Sequence, residues 1–330
     1  MIKQIDHIVI LVHDLEGAMG DYGELGFTVV PGGEHADGRS RNALIAFSDG
    51  SYLELIAFKD SLVPESHMFY RPGNPEGLVT FAVLPTDIES DVRAAHERGL
   101  ELDGPRPGGR LRPDGQRLEW KTAAPTSHDL PFLCADVTPR ELRVPEGSAH
   151  DHPNGATGIS ALGIVVSNLE ESVRRYSALL GPDVPPGDPQ ETPEGKETTF
   201  RLGDALIVLA QPSGEGDPGK YLKERGEGPY LLAPSARPDI RPEVSDPAHT
   251  HGVLLALVSA PLKVGSVGEE YAYIAGLTCS KCGGRYNVVR QSLDAGRDRA
   301  PRDVIEIVCL SCGQSGSLYF DISSFFSKQI

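Results

Sequence analysis

Runs of apolar residues divide the first 260 positions into units with a common order. Residues 6–12 (DHIVILV) form a β-branched strand-like run, and a helical stretch follows from Leu15 to Leu25 and stops at Gly26. Strand-like FTVV, NALIAFSD and, past the turn at Asp49-Gly50, YLELIAF complete a β-α-β-β-β order. The order restarts at Leu78 with LVTFAVLP, a helix over Asp87–Arg98 stopping at Gly99, then RLEWKTAAP and LPFLCADV. It restarts again at Ile159 with ISALGIVVS, a helix over Leu169–Leu180 stopping at Gly181, then ETTFRLG and ALIVLAQP. A fourth copy is fragmentary, with PYLLAPSA, no clear helix, and HGVLLALVSA. The strand-helix junctions align as HDLE, PTDIE and SNLEE, where Asp14, Thr86 and either Ser167 or Asn168 are candidate helix caps. Such self-similarity marks internal repeats.

The pattern changes past Pro261. LKVGSVGEE reads as a linker and strand-like YAYIAGLT leads into CSKCGG at 279–284. RYNVVRQSL leaves that knuckle, VIEIVC enters CLSCGQ at 309–314, and SLYFDI leaves it. DAGRDRAPRD between them reads as an exposed hairpin loop. Two residues separate the cysteines of each pair, and glycine follows each pair. Paired thiolates at this spacing on a tight turn reach one tetrahedral zinc ion, and glycine lets the backbone curl toward sulfur. A redox pair would want a thioredoxin-like context, and two disulfides would want an oxidising compartment; neither is in evidence. The expectation is therefore a structural zinc on Cys279, Cys282, Cys309 and Cys312, in a small all-β zinc ribbon over 262–330. So short a segment needs such a staple.

Composition adds limits. Hydrophobic residues at 39 % and charged residues at 24 % describe a globular chain rather than a disordered one. The net charge of −16 argues against nucleic-acid and membrane-surface partners. Residues 261–330 hold 8 Lys and Arg against 7 Asp and Glu, so the acidity lies upstream. Arg297, Arg299 and Arg302 gather positive charge in the ribbon loop, but a charge of +1 over the segment is a weak footprint for nucleic acid, so a protein or intramolecular contact is expected. The start, MIKQIDHIVI, is too interrupted for a signal peptide and no apolar run reaches membrane-spanning length, so the expected address is the cytoplasm.

Within the first unit, strand alternation puts His7 on the face shared by Ile5, Val9 and Leu11. Glu54 sits between Leu53 and Leu55 in an otherwise apolar strand, where a carboxylate is costly unless paired or ligating. An imidazole and a carboxylate on adjacent strands make half a site for a divalent ion. The plain alternative is a hydrogen bond between the two in the core. Cys134 reads as a small core residue. No GxSxG elbow, P-loop or strand-borne GxGxxG is present.

The repeat resembles the vicinal oxygen chelate (VOC) superfamily, and in particular its glyoxalase-like members. The likeness is carried by IDHIVILVHDLEGAM, LGFTVVPGGEH, RNALIAFSDGSYLELIAF, RPDGQRLEWKTA with LPFL, HDHPNGATGI and DPAHTHGVLLALVS, together covering roughly residues 3–260. It implies an α+β fold in which βαβββ modules form curved mixed sheets around a cavity. Modules one and two would occupy 1–150, module three and a truncated module four 151–261, and the ribbon 262–330. It also implies a divalent metal on inward-facing His and Glu side chains. Here the pattern is thin: Thr80 and Ala161 stand where His7 recurs, Phe132 or Leu133 and about Ile207 where Glu54 recurs, and Ala256 where related sequences often carry a Glu ligand. A second divalent ion in the cavity would need recruits from His35, His67, His150, His152 and His251. His35, in the PGGEH loop at the mouth, His152 in HPNGATGI, and Arg41 and Asn42 ahead of a buried strand are candidate substrate contacts.

The resulting expectation is a VOC-type protein acting on a small oxygen-bearing molecule through His7 and Glu54. The family's range is lyase, isomerase or dioxygenase chemistry, with a metal as Lewis acid and Glu54 as ligand or general base. The rival is a non-catalytic module that binds or sequesters its ligand, as in drug-resistance members of the superfamily. Exchange of modules between chains in that superfamily leaves room for a homodimer.

Overall fold

The computed structural model describes residues 2–59, 62–238, 240, 242–279, 281–294 and 300–326. It divides into two compact units, residues 1–235 with 244–257, and residues 236–243 with 258–330.

The first module runs β1 (Ile2–Leu11), α1 (Leu15–Glu24), β2 (Val30–His35), β3 (Ser40–Ala46) and β4 (Tyr52–Phe58). The second runs β5 (Gly77–Pro85), α2 (Ile88–Glu97), β6 (Asp103–Leu111), β7 (Arg117–Ala124) and β8 (Phe132–Asp136). Their eight strands close into a barrel in the order β1-β4-β3-β2-β6-β7-β8-β5. Each module brings its first and last strands together in parallel, β1 with β4 and β5 with β8. Antiparallel pairs β1–β5 and β2–β6 join the modules. All seven residues of β4 are buried, as an apolar run with both faces covered requires.

Two strands of the barrel differ from the sequence reading. The segment read as strand FTVV plus a PGGEH loop is one strand, β2, that begins at Val30 and ends at His35. A register shift between Pro31 and Gly33 carries the pairing through, and Gly33 at φ 128° allows it. A Cβ on Gly33 would lie 2.0 Å from the Leu111 carbonyl oxygen, so glycine is what lets β2 reach β6. The sequence reading passed over β6, because DGPRPGGRL is rich in residues that strands disfavour. Its Gly108 makes room for the Trp120 indole of β7.

The helix caps are settled by contact. Asp87, not Thr86, accepts from Ser90 N, and Asn168 accepts from Glu171 N. Asp14 holds the N-cap position of α1 without a capping bond.

A short helix, α3 (Arg140–Arg143), follows the barrel. The third module then gives β9 (Ala156–Val165), α4 (Leu169–Leu180), β10 (Gln190–Thr192), β11 (Gly195–Leu202) and β12 (Ala205–Pro212). Next come α5 (Asp217–Arg225), β13 (Gly228–Ala236), β14 (Glu243–Val244) and β15 (Leu254–Ser259). These strands form one sheet in the order β10-β11-β12-β9-β13-β15-β14.

The C-terminal unit holds β16 (Leu262–Lys263), α6 (Val267–Gly276), β17 (Tyr286–Asp294), β18 (Arg302–Cys309), β19 (Ser315–Asp321) and α7 (Ser323–Phe326). The sheet order is β16-β19-β18-β17, over a core of Ile274, Ile305, Ile307, Leu318 and Phe320. The unit is not all-β: the segment read as linker and strand YAYIAGLT forms α6. Ser-x-x-Glu is the reason, since Ser266 accepts from Glu269 N while the Glu269 carboxylate accepts from Gly265 N. Arg297 and Arg299 lie outside the described residues, while Arg302 pairs with Asp294. Among the described residues no helix is long and apolar enough to cross a membrane.

Candidate functional site

A cavity of about 280 Å³ opens in the barrel, lined by side chains from both modules. His7 on β1 and Glu54 on β4 meet there because parallel pairing sets His7 beside Tyr52 and Val9 beside Glu54. His7 stacks on Tyr52 with ring centroids 4.7 Å apart, and Phe132 meets it edge-on at 5.4 Å. Its Nδ1 lies 2.7 Å from Asp6 Oδ2 and its Nε2 lies 3.5 Å from Glu54 Oε2. The direct core hydrogen bond between His7 and Glu54 is thus not made at ordinary length.

His35 is the third member. Its Nε2 lies 3.6 Å from Glu54 Oε1 and its Nδ1 lies 3.0 Å from Ser40 Oγ. Burial holds the His35 imidazole below its ordinary pKa, against the pull of Glu54. Asn42 Nδ2 donates to Glu54 Oε1 at 2.6 Å. Burial alone would raise the Glu54 carboxyl, yet His7, His35, Asn42 and Arg110 together keep it below the usual carboxylate value. Glu54 is therefore an ionised, buried acceptor at neutral pH.

The structure brings His7, His35, Asn42 and Glu54 together, with His67 at the rim. It does not bring Arg41 or His152. Arg41 points away from the interior and forms a two-pronged ion pair with Glu16, both bonds 2.6 Å. Strand alternation explains it: Asn42 faces the cavity, so its neighbour faces out. Both ring nitrogens of His152 serve the backbone, Nδ1 accepting from Thr28 N and Nε2 bonding the Ala46 carbonyl, each at 2.9 Å. It ties the loop after α1 to the end of β3 rather than lining the cavity. His150 bonds the Pro145 carbonyl, and His251 pairs with Asp21 and Glu76.

The sequence reading missed Arg110 and Arg143, each 3 % exposed. Arg143 meets Asp6, Asp136 and the Tyr52 hydroxyl. Arg143, and after it His7, keeps the buried Asp6 carboxyl far below its usual range although burial opposes it. Arg110 lies across from His35 on the neighbouring strand. An arginine flanked by glycine and leucine carries no local signal of burial. Only the β2–β6 register reveals it. Burial pushes the Cys134 thiol up to about 12, which agrees with an inert core residue.

The register also locates the counterparts of Glu54. Ala82 pairs with Phe132 and Gly163 with Val208, as Val9 pairs with Glu54. Both counterparts are apolar, so the carboxylate is unique to the first module.

In the C-terminal unit, the four cysteine sulfurs lie within 4.8 Å of one another. Cys279 Sγ is 3.7 Å from Cys312 Sγ, and Cys282 Sγ is 3.5 Å from Cys309 Sγ. These are the edges expected of a tetrahedron with metal–sulfur bonds of about 2.3 Å. Gly283 and Gly313, at φ 71° and 73°, turn each knuckle.

A family model described as a glyoxalase-like domain matches residues 5–180. The chain belongs to this glyoxalase-like branch of the VOC superfamily. No curated protein sequence matches it significantly. Among solved structures, a hypothetical protein from Staphylococcus aureus is similar with a TM-score of 0.59 at 13 % identity, covering 78 % of this chain and 99 % of its own. Methylmalonyl-CoA epimerase from Mycobacterium tuberculosis matches at 21 % identity over 32 % of this chain and 91 % of its own, with a TM-score of 0.28. A xylose isomerase-like TIM barrel/4-hydroxyphenylpyruvate dioxygenase fusion protein matches at 14 % identity over 97 % of this chain and 48 % of its own, with a TM-score of 0.48. The likeness to the first is one of fold alone.

Proposed function

We propose that the barrel cavity binds a small molecule bearing adjacent oxygen atoms and that Glu54 takes a proton from it. Lyase, isomerase or dioxygenase chemistry would all draw on that step. The observation that carries the reading is the convergence of Glu54, His7 and His35, three electron-pair donors, on one buried point. Asp6 behind His7 and Ser40 behind His35 orient the two rings, an arrangement that also suits a metal's outer shell. A divalent ion on His7, His35 and Glu54 would supply a Lewis acid to polarise the ligand's oxygens. Groups already at ligand spacing among the described residues are the four cysteines and Asp6–His7–Cys134. The three cavity donors would have to draw inward around an ion. Asp6–His7–Cys134 is a poor alternative, because Asp6 is taken by arginines and the Cys134 thiol stays protonated.

Proton transfer stands on the chain's own groups. Glu54 is ionised and lines the cavity, Asn42 donates to one of its oxygens, and the other lies 3.5 Å from His7 Nε2. The test is exchange of the methyl hydrogens of butane-2,3-dione or pyruvate with D2O, followed by NMR, in the wild type and in Glu54→Gln. Catalysed exchange that collapses in the variant while binding persists supports the reading; equal exchange in both overturns the role of Glu54. Binding with no exchange in either protein supports the rival, a sequestering module. The apolar Phe132 at the second module's matching position favours that rival by leaving one polar set in the barrel.

We further propose that Cys279, Cys282, Cys309 and Cys312 hold a structural zinc ion and that residues 262–330 form a zinc ribbon around it. Four thiolates close the coordination shell, leaving no open position for chemistry.

A further inference from the structure

Arg110 is a buried cation whose polar contacts are neutral. Its Nη1 donates to Asn42 Oδ1 at 3.3 Å and its Nη2 donates to the Arg143 carbonyl at 3.1 Å. Among the described residues no carboxylate pairs with it. Arg143 and Arg140, by contrast, each meet both Asp6 and Asp136. A guanidinium taken out of water without a counter-charge is costly. The cost is sharpened by His35 directly across the strand pair, which cannot take a proton beside it without repulsion.

Nor is Glu54 its partner. The Asn42 amide stands between them, accepting from Arg110 and donating to Glu54. The guanidinium is held in a space made for it. A Cβ on Gly32 would lie 2.3 Å from Arg110 Nη1 and 2.1 Å from Asn42 Oδ1. Only glycine leaves that room. A guanidinium has five N–H donors in a planar fork, and two are engaged here. The remaining donors match the two oxygens of a carboxylate.

We propose that Arg110 is the anion-recognising residue of the cavity, and that the molecule bound there is a small carboxylic acid whose carboxylate meets this guanidinium. The inference rests on reading the cavity as a site for an oxygen-bearing small molecule, and it narrows that class to acids. Binding the acid neutralises Arg110 and leaves the acid's neighbouring oxygen toward His35 and Glu54.

The chain contains one tryptophan, and Trp120 lines this cavity, so intrinsic fluorescence reports occupancy directly. The experiment titrates the full chain with pyruvate and with butane-2,3-dione, near-isosteric probes that differ in the carboxylate. The wild type is expected to bind pyruvate at least tenfold more tightly. Arg110→Gln should erase that preference and leave dione binding within about threefold, with circular dichroism confirming the fold. Arg110→Lys, which keeps the charge without the fork, should cut the preference about threefold or more, and it carries the test if the Gln variant does not fold. Dione bound as tightly as pyruvate by the wild type overturns the role of Arg110 and leaves the cavity reading standing. A preference undiminished in either variant does the same. Silence of Trp120 toward both probes overturns the inference and the cavity reading together.

Discussion

His7 and Asp6 are adjacent in one strand, yet their side chains bond to each other, His7 Nδ1 to Asp6 Oδ2 at 2.7 Å. Strand neighbours ordinarily face opposite ways. A register shift between Ile5 and His7 in the β1–β5 pairing accompanies the exception. Asp6 is buried between Arg143 and Arg140 and stays ionised, so it can only accept. His7 therefore donates a proton from Nδ1 to Asp6, and its Nε2 faces Glu54 and the cavity.

Asp6→Asn should release that choice. The ¹⁵N shifts of His7 are expected to report the Nδ1–H tautomer in the wild type and a mixture in the variant. The same change leaves the Arg143–Arg140 pair short of one buried carboxylate, so the barrel should lose about 3–5 kcal/mol in urea unfolding. A wild-type His7 with no proton on Nδ1 would contradict that orientation.

Acid should destabilise the barrel in two stages. His35, His67, His128 and His152 are held below their ordinary pKa first by burial. The unfolded chain then binds more protons than the folded one as pH falls below about 6.5, and stability declines. Asp6 and Glu54 have depressed folded values despite burial, so their contribution is complete above about pH 4 and is lost as pH falls further. The urea midpoint should fall from pH 7.5 toward pH 5 and again below pH 4. His35→Gln should shrink the first stage. A midpoint that rises between pH 6.5 and 5 would refute the account.

Much of this was legible in the chain, and the rest was hidden for physical reasons. The βαβββ order is written in apolar runs and helix stops. His7 and Glu54 stand out as polar residues in apolar strands, and the cysteine spacing is local. The strand β6 is invisible because Pro and Gly there serve close approach rather than propensity. Arg110, Asp6 and Arg143 form their contacts across long sequence separations, which no local pattern encodes. His152 misled because family-like surroundings say nothing of what its nitrogens touch. Its partners are the Thr28 amide and the Ala46 carbonyl.

The cysteine cluster predicts a stoichiometry. Elemental analysis should find one zinc per chain in the wild type and none in Cys309→Ser or in a chain ending at Pro261. Loss of the ion should unfold the C-terminal unit, since metal binding and folding of so small a core are one equilibrium. The amides of Ile305 and Ile307 should lose protection from hydrogen exchange while those of β4 keep it. A Cys309→Ser protein that retains a full zinc ion would refute the four-cysteine site. A second metal equivalent that stays with the shortened chain would instead show that His7, His35 and Glu54 close around an ion.

Glu270 carries the opposite pH dependence. It lies buried on α6, where among the described residues Oε1 has no hydrogen-bond partner and Oε2 accepts from Gln291 Nε2 at 3.3 Å. Gln291 also donates to Asp303 Oδ2 at 2.7 Å, so the two carboxyl groups share one amide. Burial first, and then the Asp303 charge, raise the Glu270 carboxyl to about 7. A carboxyl raised in the folded state contributes stability below its unfolded value of about 4.3, and that contribution is lost as pH rises toward 7. Glu270→Gln keeps the shape and removes the charge. The zinc-loaded C-terminal unit should then gain about 1–2 kcal/mol at pH 8, where the wild type holds an ill-paired buried carboxylate, and little at pH 5. Hydrogen exchange at Ile305 and Ile307 measures the gain at both pH values. An equal loss of protection at pH 5 and pH 8 would mean that Glu270 acts through its hydrogen bond to Gln291 and not through its charge.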